Sequence, residues 1–354
     1  MSATHLSLPR RRLLAWYEKH KRDLPWRRTD DPYAIWISET MLQQTQVKTV
    51  LPYYERFLKV LPTIETLDQA RLEQVLRLWS GLGYYRRAEN LKKAARQIMR
   101  AHEGAIPKEY KRLRALPGIG DYTAGAILSI AFQQPYPAVD GNVRRVLGRI
   151  LGLTNENELR ETAKQLVPKS KPGNFNQALM ELGATICIPK DPRCPQCPVA
   201  AKCAAGSKSK RPEPSKHLKS SSSKNVIWPL AMVRSGEKIL LRRRAATGLL
   251  AGLWELPGGE TVRSETVTAT LRRHVKELSV MFKGYRRIGE FRHSITHRRI
   301  YSPIFLLELG STPQSRLASP HWRWVRPAAL HRYAVSSMTT KAAKVLAAYD
   351  KSSL

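Results

Sequence analysis

The apolar residues of this chain keep two different periods, and the switch between them falls in one place. From Leu6 to about Cys203 they recur at three- and four-residue spacing, as in LLAWYEKH, LEQVLRLWSGL, AENLKKAARQIMRAH and YTAGAILSIAF, the repeat of one helical face. Pro and Gly punctuate these stretches at short intervals, so a compact all-helical domain with short turns is expected over 1–203. Beyond Asn225 the pattern turns to alternation, in NVIWPLAMV, ILLRRR, RHSITHRRIYSPIFLLEL and HWRWV, with two helical pieces, VTATLRRHVKEL and SSMTTKAAKVLAAY. This predicts a mixed α+β domain over 225–354. Between the two, residues 204–224 are rich in Ser, Pro and Lys and read as a linker. A chain of 354 residues is long enough for two such cores.

Lys and Arg outnumber Asp and Glu by 61 to 28, a net charge of +33 spread along the chain instead of gathered in a tail. A polyanionic partner follows, because each cation set against a phosphate releases condensed counterions. The opening MSATHLSLPRRRLL has no apolar core of a signal peptide, and no stretch reaches the ~18 apolar residues of a membrane helix. An intracellular protein with no membrane partner is expected.

Four residue groups carry chemistry. All four cysteines, Cys187, Cys194, Cys197 and Cys203, lie in one segment with the spacing C-x6-C-x2-C-x5-C. In a reducing compartment this favours a metal site over disulfides. Zinc is one candidate, although zinc ribbons and fingers usually show two CxxC pairs and one is present here; an iron–sulfur cluster also takes four thiolates. The turn LPGIGDYTAGAI sets Gly118 and Gly120 before an apolar helix, where backbone amides can hold a phosphate oxygen. Glu39 lies in WISETMLQQTQV, where Trp36, Met41 and Leu42 point to a largely buried helical start, and burial raises a carboxyl toward the range of a neutral-pH acid. On a helix Gln43 shares its face four residues on, with Leu42 and Gln44 alongside. Asp140 precedes Gly141 and Asn142 at the start of NVRRVLGRIL, where a helix N-terminus is expected to lower its pKa. Two carboxyls tuned apart suit N-glycosidic cleavage, one protonating the leaving base and one facing the positive sugar. Each alone is an ordinary helix-end carboxylate.

The stretches LPWRRTDDPYAIWISETMLQQTQV, LWSGLGYYRRAENLKKAA, LPGIGDYTAGAILSIAF, AVDGNVRRVL and FNQALMELGATIC, followed by the four cysteines, resemble the MutY family of adenine DNA glycosylases within the endonuclease III, or helix-hairpin-helix, superfamily. The resemblance implies a [4Fe-4S] cluster on the cysteines, with a structural and DNA-docking role. It implies that Glu39 protonates adenine, that Asp140 supports the oxocarbenium-like sugar, and that Tyr122 and Asn142 help position or stabilise it. Trp26, Arg27 and Gln177 would line the adenine pocket, and Leu42, Gln44 and Tyr84 would sit at the lesion pair, Tyr84 stacking into the duplex. The lyase relatives carry a Lys where this chain has Tyr122, so water replaces an amine as nucleophile and a monofunctional enzyme is expected. The partner implied is duplex DNA with an 8-oxoguanine:adenine or guanine:adenine pair, met by a monomer in a bacterial cytoplasm, at the nucleoid.

The run LLRRRAATGLLAGLWELPGG resembles the Nudix-like C-terminal domain of that family, which reads 8-oxoguanine. True Nudix hydrolases need clustered glutamates; here Glu265 and Glu277 remain, with His274 and Leu278 in place of two others, too few for Mg²⁺. The family's recognition loop usually reads Phe-Ser-His, and this chain has Ile295-Thr296-His297, keeping a hydroxyl and losing the ring. A bifunctional glycosylase-lyase is the rival enzyme. A non-catalytic DNA-binding protein with a structural metal site is the rival of another class, and leaves both carboxylates unexplained.

Overall fold

The computed structural model describes residues 8–206, 223–278, 282, 284–309 and 319–352, so most of the linker expected over 204–224 lies outside the described residues. Cα packing divides the chain into two units: Met1–Ala70 with Asn90–His217, and Arg71–Glu89 with Leu218–Leu354, as far as their described residues go.

The helices run in order α1 (Arg10–His20), α2 (Pro32–Leu42), α3 (Val47–Val60), α4 (Ile64–Gln69), α5 (Leu72–Trp79), α6 (Arg86–Ala101), α7 (Tyr110–Arg114), α8 (Asp121–Ile130), α9 (Gly141–Leu151), α10 (Glu156–Leu166) and α11 (Pro172–Thr185). In the first unit α2 is the central rod. Asp31 caps it by accepting from the backbone N–H groups of Tyr33 (3.0 Å) and Ala34 (3.3 Å), with Pro32 in the first position, whose missing N–H costs nothing there. It is buried continuously from Tyr33 to Met41, as expected of a helix apolar all round. It packs against α8, which is buried from Thr123 to Ile130. The stretch SETMLQQTQVKTVLPYYERFL, apolar at helical spacing throughout, breaks at Gln43–Gln46 into α2 and α3. A second core joins α1, α9, α10 and α11 through Leu13, Tyr17, Val146, Leu159, Phe175 and Leu182.

The second unit is the α+β domain expected. Its strands are β1 (Lys224–Ile227), β2 (Leu230–Ser235), β3 (Lys238–Arg243), β4 (Trp254–Glu255), β5 (Arg286–Ile295), β6 (Arg298–Glu308) and β7 (Trp322–Val325), in the order β1-β6-β2-β3-β4, with β5 on β6 and β7 on β3. NVIWPLAMV is two strands, not one: Pro229, which has no N–H to give a ladder, separates β1 from β2, and both run parallel to β6. Helices α12 (Val267–Val275) and α13 (Ser337–Ser352) bury their apolar sides in separate clusters, α12 with Ala231, Val233 and Leu240, α13 with Leu230, Met232 and Ile304. These alternate residues of β2 lie on opposite faces, so the sheet is covered on both. The α5 segment joins this unit, where Glu73 accepts from Trp254 Nε1 (3.1 Å) and Ser80 donates to the Val335 carbonyl (2.6 Å). Among the described residues no helix is long and apolar enough to cross a membrane.

Candidate active site

Glu39 occupies the third turn of α2, not the helical start expected, so it gains nothing from the helix N-terminus. It is 5% exposed, and burial pushes its carboxyl up to about 7, with the Asp140 charge adding to the rise. Two groups oppose this: Tyr122, on the first turn of α8, donates its hydroxyl to Glu39 Oε2, and the Arg27 cation acts through space. No described group bonds Oε1. Burial and the two carboxyls hold the Tyr122 phenol well above its ordinary value, so it stays a donor.

Asp140 caps α9, accepting from the Val143 N–H (2.7 Å) and from Asn142 Nδ2 (2.9 Å). The expected lowering of its pKa does not occur. Burial outweighs those two donors and the Arg145 cation, and the carboxyl stands above its ordinary range. Glu39 and Asp140 are therefore shifted in the same direction, and the opposite tuning expected from sequence is corrected: a cap stabilises a carboxylate fully only where water also reaches it. Asn142 is gripped in turn by Arg145, which bonds its Oδ1 (2.9 Å) and the Gly183 carbonyl (2.7 Å). A Cβ on Gly183 would lie 2.6 Å from that of Asn142, so the glycine lets α11 close on the start of α9.

The other first-unit residues fall into place unevenly. Trp26 is buried, edge-on to Tyr54 at 5.2 Å. Arg27 bonds Glu181 (2.7 Å) and lies over the Tyr17 ring. Glu181, fully buried, also takes both bonds of the Arg22 fork (2.8 Å each), and the two guanidiniums hold it at about 2 against the pull of burial. Sequence reading missed Arg22 and Glu181; the signal was there, since Glu181 follows Gln177 by one helical turn on α11. Gln177 and Leu42 are half-buried. Gln43 does not share the Glu39 helical face, because α2 ends at Leu42; it reaches instead to Thr123 Oγ1 (3.2 Å), tying α2 to α8. Gln44 is exposed and left-handed at φ 58°.

The turn between α7 and α8 is built as the sequence indicates. Gly118 is left-handed (φ 80°), and a Cβ there would meet Asn90 at 2.8 Å, whereas a Cβ on Gly120 would meet nothing within 4 Å, leaving the start of α8 open. Of the cysteines, Cys187, Cys197 and Cys203 pack against the core and Cys194 is exposed. Burial and the charges of the other three raise Cys197, and Arg149 comes within 3.6 Å of Cys187 Sγ. Among the described residues no three Cys, His, Asp or Glu side chains converge on a single ion position. Four free thiols, with the Arg145 and Arg149 cations beside Cys187, suit a thiolate-bound cluster, whose ligands stand further apart and whose negative charge needs cations.

In the second unit Tyr84 is 45% exposed and left-handed (φ 49°), under the Arg87 guanidinium. Arg87 lies between Trp79 and Tyr84 and donates to the Gly83 carbonyl (3.1 Å). Thr296 and His297 form the two-residue exposed turn of the β5–β6 hairpin. Glu265 is occupied by Arg273 and Thr270, and His274, held down to about 4 by burial and by Arg242 and Arg273, is neutral where a hydrolase needs a carboxylate.

A family model described as "HhH-GPD superfamily base excision DNA repair protein" matches residues 37–170, and one described as a NUDIX domain matches 230–345. The adenine DNA glycosylase of Homo sapiens is 36% identical, over 94% of this chain and 73% of its own. That of Buchnera aphidicola subsp. Baizongia pistaciae is 36% identical over 83% of this chain and 85% of its own. Among solved structures, a thermostable thymine-DNA glycosylase aligns with a TM-score of 0.53 at 32% identity, covering 56% of this chain and 94% of its own. A trapped endonuclease III–DNA covalent intermediate aligns at 0.50 and 23% identity, over 56% and 93%, a likeness of fold.

Proposed function

Because the chain belongs to the adenine DNA glycosylase family, within the helix-hairpin-helix base-excision repair proteins, we propose that it extrudes adenine opposite 8-oxoguanine or guanine and hydrolyses its N-glycosidic bond without cutting the strand. The observation that carries the chemistry is Glu39: a carboxyl buried to a pKa of about 7, fixed through Oε2 by Tyr122, with Oε1 left to deliver a proton to the leaving base. Asp140 stands close enough for its charge to reach both groups. Its carboxylate balances the positive sugar, and Asn142 with Arg145 fixes its orientation. Position 122 holds a phenol that stays protonated, so no amine attacks the sugar and water completes the reaction.

Trp26, Arg27 and Gln177 form the adenine pocket on this reading, and Leu42, Gln44 and Tyr84 meet the lesion pair, the left-handed turn at Tyr84 presenting its ring for stacking. Thr296, at the hairpin turn, offers a hydroxyl to 8-oxoguanine beside His297. The four cysteines would hold a [4Fe-4S] cluster, which when bound supplies a rigid, charged lobe and takes no part in the bond cleavage. Adenine release from duplexes carrying 8-oxoguanine:adenine and guanine:adenine pairs tests the reading. Release with an intact strand supports it; strand scission without added base, or a borohydride-trapped adduct, overturns the monofunctional assignment.

A further inference from the structure

The β5–β6 hairpin continues below its tip into an open three-stranded face. Register places Arg292 opposite Tyr301, Ser294 opposite Arg299, and Asn225 and Ile227 of β1 beside Arg299 and Tyr301. Since side chains alternate along a strand, these six share one face. All but the half-buried Tyr301 are exposed, and with the residues between them on each strand and Lys341 they line a groove of about 840 Å³.

The charges in this groove are unbalanced. Glu290 is taken by Arg287 and by the Tyr301 hydroxyl, and reaches Arg292 only through space. Among the described residues neither Arg292 nor Arg299 has a side-chain hydrogen bond or ion pair. The two stand diagonally across adjacent strands, where Cβ atoms lie roughly 7–8 Å apart, so two like charges share a face with no described acid between them. The groove is also stiff. Lys341 donates to the Arg292 carbonyl (3.0 Å) and reaches His293 Nδ1 (3.4 Å), while Ser337 bonds His293 Nε2 (3.1 Å), so α13 pins the edge strand at both nitrogens of one ring. Little ordering is left for a ligand to impose.

We propose that this face grips the sugar–phosphate backbone of DNA, Arg292 and Arg299 each neutralising one phosphate while Ser294 and Asn225 donate to the oxygens between them. The occupant is a polyanionic strand running past the hairpin tip, since two unpaired guanidiniums with a hydroxyl and an amide supply the charge and the donors that phosphate oxygens take. The inference rests on the adenine glycosylase reading only for the identity of the strand.

The test is equilibrium binding of the full chain to a duplex, from about 50 to 200 mM salt, for the parent and for the double variant R292Q/R299Q. Loss of two phosphate contacts lowers the slope of log Kd against log salt by about 1.8, so the weakening across that range shrinks about twelve-fold. The charge-retaining pair R292K/R299K is expected to keep the parent slope, and both pairs to keep the parent melting temperature, the side chains being exposed. A slope unchanged in R292Q/R299Q overturns the proposal and leaves the groove to an acidic protein or to no partner. A slope lost equally in R292K/R299K also overturns it, since charge is then not what matters. Adenine release by the parent, measured beside it, separates the two readings. No release with a lowered slope sinks the glycosylase reading and leaves the groove standing; release with an unchanged slope does the reverse.

Discussion

At the scale of single residues, the decisive quantity is the proton on Glu39. Its folded pKa of about 7 lies above the ordinary 4.5, so the native state holds a proton that the unfolded chain has lost between those values. Two consequences follow. Stability falls as pH rises through that window, and Glu39→Gln, which carries no charge to bury, is expected to melt at a higher temperature than the parent at pH 8. The same variant loses the acid and slows adenine release by about a hundred- to ten-thousand-fold. Glu181 acts on this proton at one remove. With its charge gone in Glu181→Gln, the Arg27 cation that already lowers Glu39 is no longer offset, and the alkaline limb of the pH–rate profile moves to lower pH. Glu181→Ala strands two arginines, one of them nearly buried, and costs about 3–5 kcal/mol of stability, measurable by denaturant unfolding.

Elements bring these residues together by a few close approaches. In the turn before α8, Gly118→Ala combines a left-handed φ of 80° with a Cβ 2.8 Å from Asn90; it is expected to weaken duplex binding and lower the melting temperature, whereas Gly120→Ala meets open space and affects the two far less. Much of this scale was legible in the sequence. The helix-to-strand switch, the Gly turn, the cap at Asp140 and the buried setting of Glu39 all follow from local pattern, because period, φ and capping are local properties. What pattern could not supply was set by long-range packing. The sign of the Asp140 shift depends on burial that other helices create. Gln43 turns to Thr123 because α2 ends one residue before it, and the Arg22–Glu181–Arg27 triad joins residues more than 150 positions apart. Likewise Pro229 split one alternating run into two strands whose common partner, β6, lies some 70 residues on.

Across the whole molecule, two domains with separate cores carry a net charge of +33. Phosphate attraction on that scale makes binding steeply salt-dependent and leaves discrimination to a few side chains. Thr296→Ala is accordingly expected to narrow the difference in adenine release between 8-oxoguanine and guanine duplexes, with little change in salt slope. The measurement that bears most directly on the central claim is single-turnover adenine release from an 8-oxoguanine:adenine duplex between pH 5 and 9, with Glu39→Gln in parallel. If Glu39 is the acid, the parent rate declines tenfold per pH unit above about 7 and the variant shows neither the rate nor that limb. A parent profile flat through pH 7–9, or a variant releasing adenine at the parent rate, would contradict it.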